Sequence, residues 1–257
     1  MYYKTEGIVL RETQYRDSDK ILNVLTRDYG KITLKARGVR KNTSPLKSAC
    51  QLLAYSEFTY QDYGGYFTIK EANCKEMFSE LRLDIEKISL GFYFAQAAEV
   101  LSEEDAPDPA LLSLLLNSLY ALAKLEKPQL LVKTAFEWRL ACLAGYEPDL
   151  SGCAVCGSGT PDRFNVNRGC LQCAGCHRED LEGLRMPISL GALAALRYIV
   201  GCDEKKIFSF RLGDEALREL SGISETYLMT QLERSFSTLD LYKSLFYTNL
   251  SSGEQHE

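Results

Sequence analysis

The hydrophobic pattern of this chain changes its period near residue 78, and this change constrains the fold more than any other feature. Before it, turn signals separate five short runs rich in β-branched and aromatic residues, as in consecutive strands. These runs read GIVL, KILNVLT, KITLKA, AYSEFTYQ and GYFTIKEA. Beyond it, apolar residues recur at helical spacing, first at Leu81, Ile85, Ile88 and Phe92. We therefore predict a multidomain α+β protein.

Five short strands within the first 78 residues fit a small closed barrel such as the OB-fold, and an SH3-like barrel would give the same pattern. We assign residues 1–78 to an OB-fold-like, nucleic-acid-binding domain. Residues 79–149 and 181–250 are predicted to form an α-helical domain, interrupted by an inserted zinc-binding segment at 150–180. Residues 251–257 are predicted to be a disordered tail.

Two CxxC pairs account for the zinc prediction. Cys153 with Cys156 and Cys173 with Cys176 are separated by 16 residues, an interval typical of four-cysteine metal sites. Each pair can present two thiolates from one tight turn, and two such turns complete a tetrahedral sulfur shell around Zn²⁺. A full shell leaves no open coordination position. The zinc is therefore predicted to be structural, stabilising a segment with too few apolar residues to fold alone.

The remaining cysteines bear on compartment and on the ligand set. Nine cysteines are an odd number, and the N-terminal MYYKTEGIVL lacks the apolar core of a secretion signal. These features argue against a disulfide framework and predict a cytoplasmic chain with reduced thiols. No stretch reaches the ~20 apolar residues that cross a bilayer, so no membrane contact is expected. Cys170 and His177 lie near enough to replace a ligand, and reduced core cysteines or a redox pair are alternatives to the metal.

A basic strand and the loop after it form the second candidate site. Residues 27–47 contain seven basic residues and one acid. Alternation at period 2 turns the cations of the strand to one outer face of the predicted barrel. A row of cations there suits a phosphate backbone, and the alternative is a solvated basic loop. The predicted nucleic-acid contacts are Lys31, Lys35, Arg37, Arg40 and Lys41.

Tyrosines in the same region are candidates for stacking on bases, since every base has an aromatic face. Strand residues alternate between core and surface, so about half of these tyrosines are expected to be buried. The candidates are Tyr15, Tyr29, Tyr55, Tyr60, Tyr63 and Tyr66.

The chain shows none of the motifs that mark common enzyme active sites. It has no Walker-type phosphate loop, no GxGxxG after a strand, no nucleophile elbow and no HExxH helix. The carboxylates Glu12, Asp17 and Asp19 are clustered in a turn-like segment. Arg16 and Lys20 neutralise much of their charge. We therefore do not expect an enzyme.

Two long segments carry a resemblance to a known family. The first, GIVLRETQYRDSDKILNVLTRDYGKITLKARGVRKNTS, spans residues 7–44, and the second, FEWRLACLAGYEPDLSGCAVCG, spans residues 136–157. In this order they resemble the N-terminal signature of the bacterial RecO recombination mediators and the helix that leads into that family's zinc-binding segment. Where the family often has Gly-Gly before the second CxxC, this chain has Gly169-Cys170, which adds a thiol near the predicted metal.

The resemblance implies a mediator of DNA repair and homologous recombination. Its OB-fold would bind single- and double-stranded DNA without sequence specificity and anneal complementary strands. RecR and the C-terminal tail of the single-stranded DNA-binding protein would be partners. Through these contacts the protein would help to load RecA, an indirect partner, onto DNA coated by the single-stranded DNA-binding protein. The expected location is the cytoplasm, at the nucleoid during repair. Lys133 and Arg139 are candidates for the rim of the groove that holds the acidic tail, with ordinary solvated charges as the alternative.

Two other functions share these features. A zinc-ribbon protein that binds RNA or acts in translation would show the same barrel, charge and CxxC pairs. A structural scaffold that contacts only proteins would show them too. Competition between single-stranded DNA and matched RNA distinguishes the RNA-binding protein from the DNA-binding one. Charge reversal on the basic strand distinguishes the scaffold, because a scaffold predicts no loss of nucleic-acid binding.

Overall fold

The computed structural model describes residues 1–253, and their side chains as far as residue 246. Five strands close into a barrel in the order β1-β2-β3-β5-β4, and helices follow. The predicted OB-fold-like barrel, followed along the chain by helices, is therefore confirmed. The barrel strands are β1 (Tyr2–Tyr15), β2 (Asp19–Thr26), β3 (Gly30–Ala36), β4 (Tyr55–Asp62) and β5 (Phe67–Glu76).

Closure depends on the length of β1, which has 14 residues. Its N-terminal half pairs with β4 and its C-terminal half with β2, and the register shifts between Val9 and Arg11. This shift lets one strand bend around the barrel and serve two neighbours. Alternate residues of the strands point inward, so the core is apolar. It includes Leu22, Val24 and Phe58, none of which is exposed to solvent.

The barrel closes on its other side between β3 and β5, its one parallel ladder. This ladder has only two register pairs, Leu34 with Phe67 and Lys35 with Thr68. By contrast, the antiparallel ladder between β2 and β3 has seven. The seam between β3 and β5 is therefore the shortest connection in the barrel.

Six helices and a small sheet complete the described part of the chain. The helices are α1 (Ile85–Leu101), α2 (Pro109–Lys124), α3 (Gln129–Leu143), α4 (Leu190–Gly201), α5 (Asp214–Leu232) and α6 (Ser237–Gly253). The sheet contains β6 (Asp149–Cys153), β7 (Arg163–Asn165), β8 (Cys170–Gln172) and β9 (Arg185–Pro187), in the order β6-β8-β7-β9. No helix within residues 1–253 is long and apolar enough to span a membrane.

The described residues form two compact units. The first contains Met1–Lys124 together with the described residues from Phe236 onward, and the second contains Leu125–Ser235. These units are defined by which residues pack together. The predicted domains instead grouped residues 79–149 and 181–250 because both stretches show helical periodicity. Of the predicted disordered tail, residues 254–257 lie outside the described residues, and 251–253 belong to the end of α6.

Candidate nucleic-acid cleft and metal centre

A cleft of about 650 Å³ lies on the outer face of the barrel, along β3 and β5. Because β3 alternates between core and surface, its polar residues face this cleft while Ile32 and Leu34 pack inside or against its floor. Three of the predicted cations line the cleft, namely Lys31, Lys35 and Arg37. Four aromatic side chains line it as well, namely Tyr15, Tyr63, Tyr66 and Phe67.

Lys35 is held in position at the centre of this cleft. Its Nζ lies 3.5 Å from a carboxylate oxygen of Asp19 and 4.6 Å from the ring centroid of Tyr15. The backbone N–H of Gly38 also donates to Asp19, at 2.8 Å. This hydrogen bond, with Lys35, holds the pKa of the Asp19 carboxyl below its ordinary value. The acid therefore stays charged and fixes both the lysine and the turn that follows β3.

The aromatic side of the cleft combines tyrosines with cations. The Arg37 guanidinium lies 5.9 Å from the ring centroid of Tyr63. Lys70 approaches the same ring at 4.9 Å and donates to the Tyr63 hydroxyl at 2.8 Å. The exposed fractions of Tyr63 and Tyr66 are 46% and 77%. Sequence reasoning missed Lys70, although its position just after the Gly64-Gly65 hairpin was a usable signal.

Of the six candidate tyrosines one is buried, two are half-buried and three are exposed, so fewer are buried than the predicted half. Tyr15, Tyr63 and Tyr66 are exposed. Tyr60 is only 2% exposed and stacks on Tyr3 in the barrel, with ring centroids 5.5 Å apart. The other two, Tyr29 and Tyr55, are half-buried. Only the three exposed tyrosines line the cleft.

The other two predicted cations do not line this cleft. Arg40 lines a separate cleft, and its guanidinium donates to the backbone carbonyl of Asp17 at 3.1 Å. Lys41 is exposed on the turn that begins at Gly38, where its N–H donates to the Gly38 carbonyl. The predicted set of five therefore separates into three cations in the cleft and two beyond it.

An acidic segment forms one end of the cleft. Glu104 and Asp105 line it, and the preceding Glu103 carbonyl accepts from the Lys31 N–H at 2.8 Å. Gly30 permits this close approach. It has φ +65°, and a Cβ there would lie 2.6 Å from the carbonyl oxygens of Glu103 and Ala106.

The four predicted metal ligands come together at one edge of the small sheet. Because β6 and β8 are parallel, their carboxyl ends meet at the same edge. Cys153 ends β6, and Cys173 directly follows β8. Each strand then turns and presents its second cysteine, Cys156 or Cys176. The four Sγ atoms lie within 4.8 Å of one another.

The local backbone favours the thiolate form of Cys153, whereas burial and the neighbouring cysteines raise the pKa of the Cys173 thiol. Burial opposes ionisation of Cys153, but hydrogen bonds from the N–H groups of Cys156, Val155 and Cys173 lower the pKa of its thiol to about 6. The Cys173 N–H donates to the Cys153 Sγ at 3.3 Å. Such N–H···S contacts are typical of turns that hold a metal between two cysteines. The cluster is thus a candidate metal centre.

The structure answers the question of substitute ligands. Within the described residues, neither Cys170 nor His177 belongs to the group of ligand atoms. Cys170 is buried on β8, where burial raises the pKa of its thiol. His177 is exposed just after the second CxxC.

The structure contradicts the prediction that Lys133 borders an exposed groove. Its side chain is 1% exposed, and its Nζ lies 3.0 Å from Glu137 and 2.9 Å from Glu225. A buried ammonium requires such carboxylate partners, so Lys133 belongs to the interior of the second unit. Arg139 is half-buried and donates to the Val200 carbonyl at 2.9 Å.

Comparison with known proteins gives two family matches that together cover most of the chain. Residues 1–78 match the family described as Recombination protein O N terminal, and residues 82–240 match Recombination protein O C terminal. A curated relative in Acetivibrio thermocellus, named DNA repair protein RecO, is 34% identical over 95% of this chain and 97% of its own length. Proteins of the same name in Dehalococcoides mccartyi and Alkaliphilus metalliredigens are 31% and 29% identical, over 96% and 95% of this chain and 98% and 100% of their own lengths. The chain therefore belongs to the RecO family.

Proposed function

We propose that this chain acts in DNA repair and homologous recombination as a non-enzymatic mediator. It binds single- and double-stranded DNA without sequence specificity and anneals complementary strands. With RecR, it helps to load RecA onto DNA coated by the single-stranded DNA-binding protein, whose C-terminal tail it contacts. The names of the relatives support the role in repair. The cation- and tyrosine-lined cleft on the barrel carries the proposal of DNA binding.

The chemistry of the cleft fits a single strand. Lysine and arginine neutralise phosphates regardless of base sequence, and exposed tyrosines stack on any base. Lys31 and Arg37, which form no ion pair among the described residues, supply the net positive charge, and Lys35, paired with Asp19, adds a further N–H donor. Tyr63 and Tyr66 supply exposed rings. Binding without sequence preference follows from this composition.

We further propose that the cysteine cluster holds a structural Zn²⁺. A tetrahedral site with Zn–S distances of ~2.3 Å requires sulfur atoms about 3.8 Å apart. The Sγ atoms of Cys156 and Cys173 are 3.8 Å apart, so this pair fits the ion without rearrangement. Cys153 and Cys176 would complete the shell, and the bound ion would fix the two turns to each other.

Charge reversal at Arg37 tests the DNA-binding face. Arg37 is exposed and forms no ion pair among the described residues, so Arg37→Glu should leave the fold intact. We expect affinity for fluorescent oligo-dT, measured by anisotropy, to fall about tenfold, because one phosphate contact becomes a repulsion. The matched control is Lys205→Glu on an exposed position of the second unit. Unchanged affinity in Arg37→Glu would reject this face.

Salt dependence and competition sharpen the same test. Three engaged phosphates predict a slope of log K against log salt near −2 for a single strand, whereas five predict about −3.5. A slope near −2 would identify the three cleft cations as the contact set. Preference for matched RNA over DNA would favour the alternative of an RNA-binding protein.

A further inference from the structure

A second cationic cleft, of about 550 Å³, lies at one end of the barrel. It is formed by the ends of β1 and β2, the segment between β3 and β4, and the start of the helical part of the first unit. Its cations are Lys20, Arg40, Lys47 and Arg82. Its uncharged lining includes Gln14, Gln51, Val39, Leu52 and Phe92.

The positive charge of this cleft is mostly not neutralised. The one carboxylate that lines it, Glu12, pairs with Lys20 at 2.8 Å. Within residues 1–246, no ion pair involves Arg40, Lys47 or Arg82. Two of them donate to neutral carbonyl oxygens instead, Arg40 to Asp17 and Arg82 to Leu52. A carbonyl fixes a guanidinium without cancelling its charge, so two oriented arginines and the exposed Lys47 remain for an anionic ligand.

The two clefts are lined by residues close in the sequence, since Arg37 lines the first and Arg40 lines the second. Three residues of chain span at most about 11 Å, so the Cα atoms of these two arginines are no farther apart than that. The tight turn at Gly38 connects them, and in it the Lys41 N–H donates to the Gly38 carbonyl at 3.1 Å. Arg37, Arg40 and Lys41 are all exposed around this turn.

We propose that the second cleft binds the phosphate backbone of a second single strand during annealing, an inference that rests on the proposed function. Two polyanions repel each other, and cations between them reduce that repulsion. With one strand against Lys35 and Arg37 and the other against Arg40 and Lys47, the turn at Gly38 would lie between two phosphate chains. Gln14 and Gln51 offer hydrogen bonds, and Phe92 offers an apolar surface. These contacts do not depend on the base sequence of the strand.

Native mass spectrometry can count strands directly. The probe is a short oligo-dT, which cannot pair with itself. We expect two oligonucleotides per wild-type chain, and one per chain in Arg40→Glu/Lys47→Glu. Anisotropy should show first-strand affinity within about twofold of wild type, while the annealing rate of complementary strands falls at least about tenfold. Lys205→Glu/Lys206→Glu, an equal charge change in the second unit, is the matched control and should retain two strands.

Each other outcome has a definite meaning. Two strands on the Arg40→Glu/Lys47→Glu chain, or loss of first-strand affinity equal to that of Arg37→Glu, would overturn the second site. If the glutamate pair lowers the melting temperature, Arg40→Gln/Lys47→Gln gives the same readout without added acid. A wild-type chain that binds no oligo-dT would instead overturn the proposed function, and this inference with it.

Discussion

The barrel and the cysteine segment hold their shapes by different means. The barrel has long antiparallel ladders around an apolar core, and the cations and exposed tyrosines of its cleft lie outside that core. The cysteine segment contains strands of three residues, such as β7 and β8, and its four thiols meet at one point. In the barrel, the candidate functional side chains are therefore separate from those that stabilise the fold. In the cysteine segment, the proposed metal would make them the same side chains.

Removing one thiol should have the largest effect of the changes that test this comparison. We expect Cys153→Ser to lose the bound metal and to melt about 10 °C lower, because a structural zinc contributes several kcal/mol to folding. The metal-to-protein ratio and a thermal melt measure both effects. Cys170→Ser, outside the cluster, should keep its metal. If Cys153→Ser keeps its metal while DNA affinity falls, the comparison is broken.

The buried lysine tests the second unit without touching the metal. Lys133→Met should cost about 3–5 kcal/mol in the free energy of unfolding, because Glu137 would stay buried without its cation. The double change Lys133→Met/Glu137→Leu should recover much of this loss, since the fully buried carboxylate is removed together with its cation and only the partly exposed Glu225 loses its contact with Lys133. Denaturant melts of the two variants measure the difference. A double variant as unstable as the single one would show that the ion pair itself stabilises this unit.

Truncating the exposed rings should weaken DNA binding and leave the melting temperature unchanged. We expect Tyr63→Ala/Tyr66→Ala to reduce oligo-dT affinity at least about thirtyfold, because two stacked bases at about 1–3 kcal/mol each contribute about 2 kcal/mol or more. Phenylalanine at both positions should retain the affinity, since the ring faces stay in place. Anisotropy titrations measure the change. Equal affinities for the alanine and wild-type proteins would remove these rings from the contact set.

The acidic end of the cleft should give the smallest effect, and in the opposite direction. Glu104→Gln/Asp105→Asn removes two carboxylates that repel phosphates near Lys31. We expect oligo-dT affinity to rise about threefold at low salt and the gain to vanish at high salt, because exposed charges are screened. Glu103→Gln, in the same segment but outside the cleft lining, is the control. A gain that persists at high salt would indicate a conformational effect of the segment.

The sequence predicted the barrel well because β3 and β4 alternate at period 2 and short runs of buried apolar residues mark β1 and β2. It predicted only GIVL for β1, although the strand runs from Tyr2 to Tyr15, since both of its ends are largely exposed. The grouping of the four cysteines also followed from spacing, because a CxxC turn fixes two thiols locally. The parallel arrangement of β6 and β8, which makes the two turns meet, had no local signal.

The sequence could not predict which charged residues are buried, or which of the basic residues after β2 line each of the two clefts. Lys133 has the pattern of a surface lysine, and its partner Glu225 is far along the chain. Arg37 and Arg40 are close neighbours of like charge, yet a positive φ at Gly38 turns the chain between them. Only the position of that turn relative to β1 and β2 assigns the two arginines to different clefts.

The short seam between β3 and β5 has a mechanical consequence. Two register pairs join these strands, and residues from both of them, Lys35 and Thr68, line the cleft above. A DNA strand bound in the cleft would contact both β3 and β5 and would connect them across the shortest ladder of the barrel. DNA binding should therefore reduce the mobility of the backbone at this ladder. Amide protons beside the seam should exchange more slowly with solvent, even though no strand changes its position.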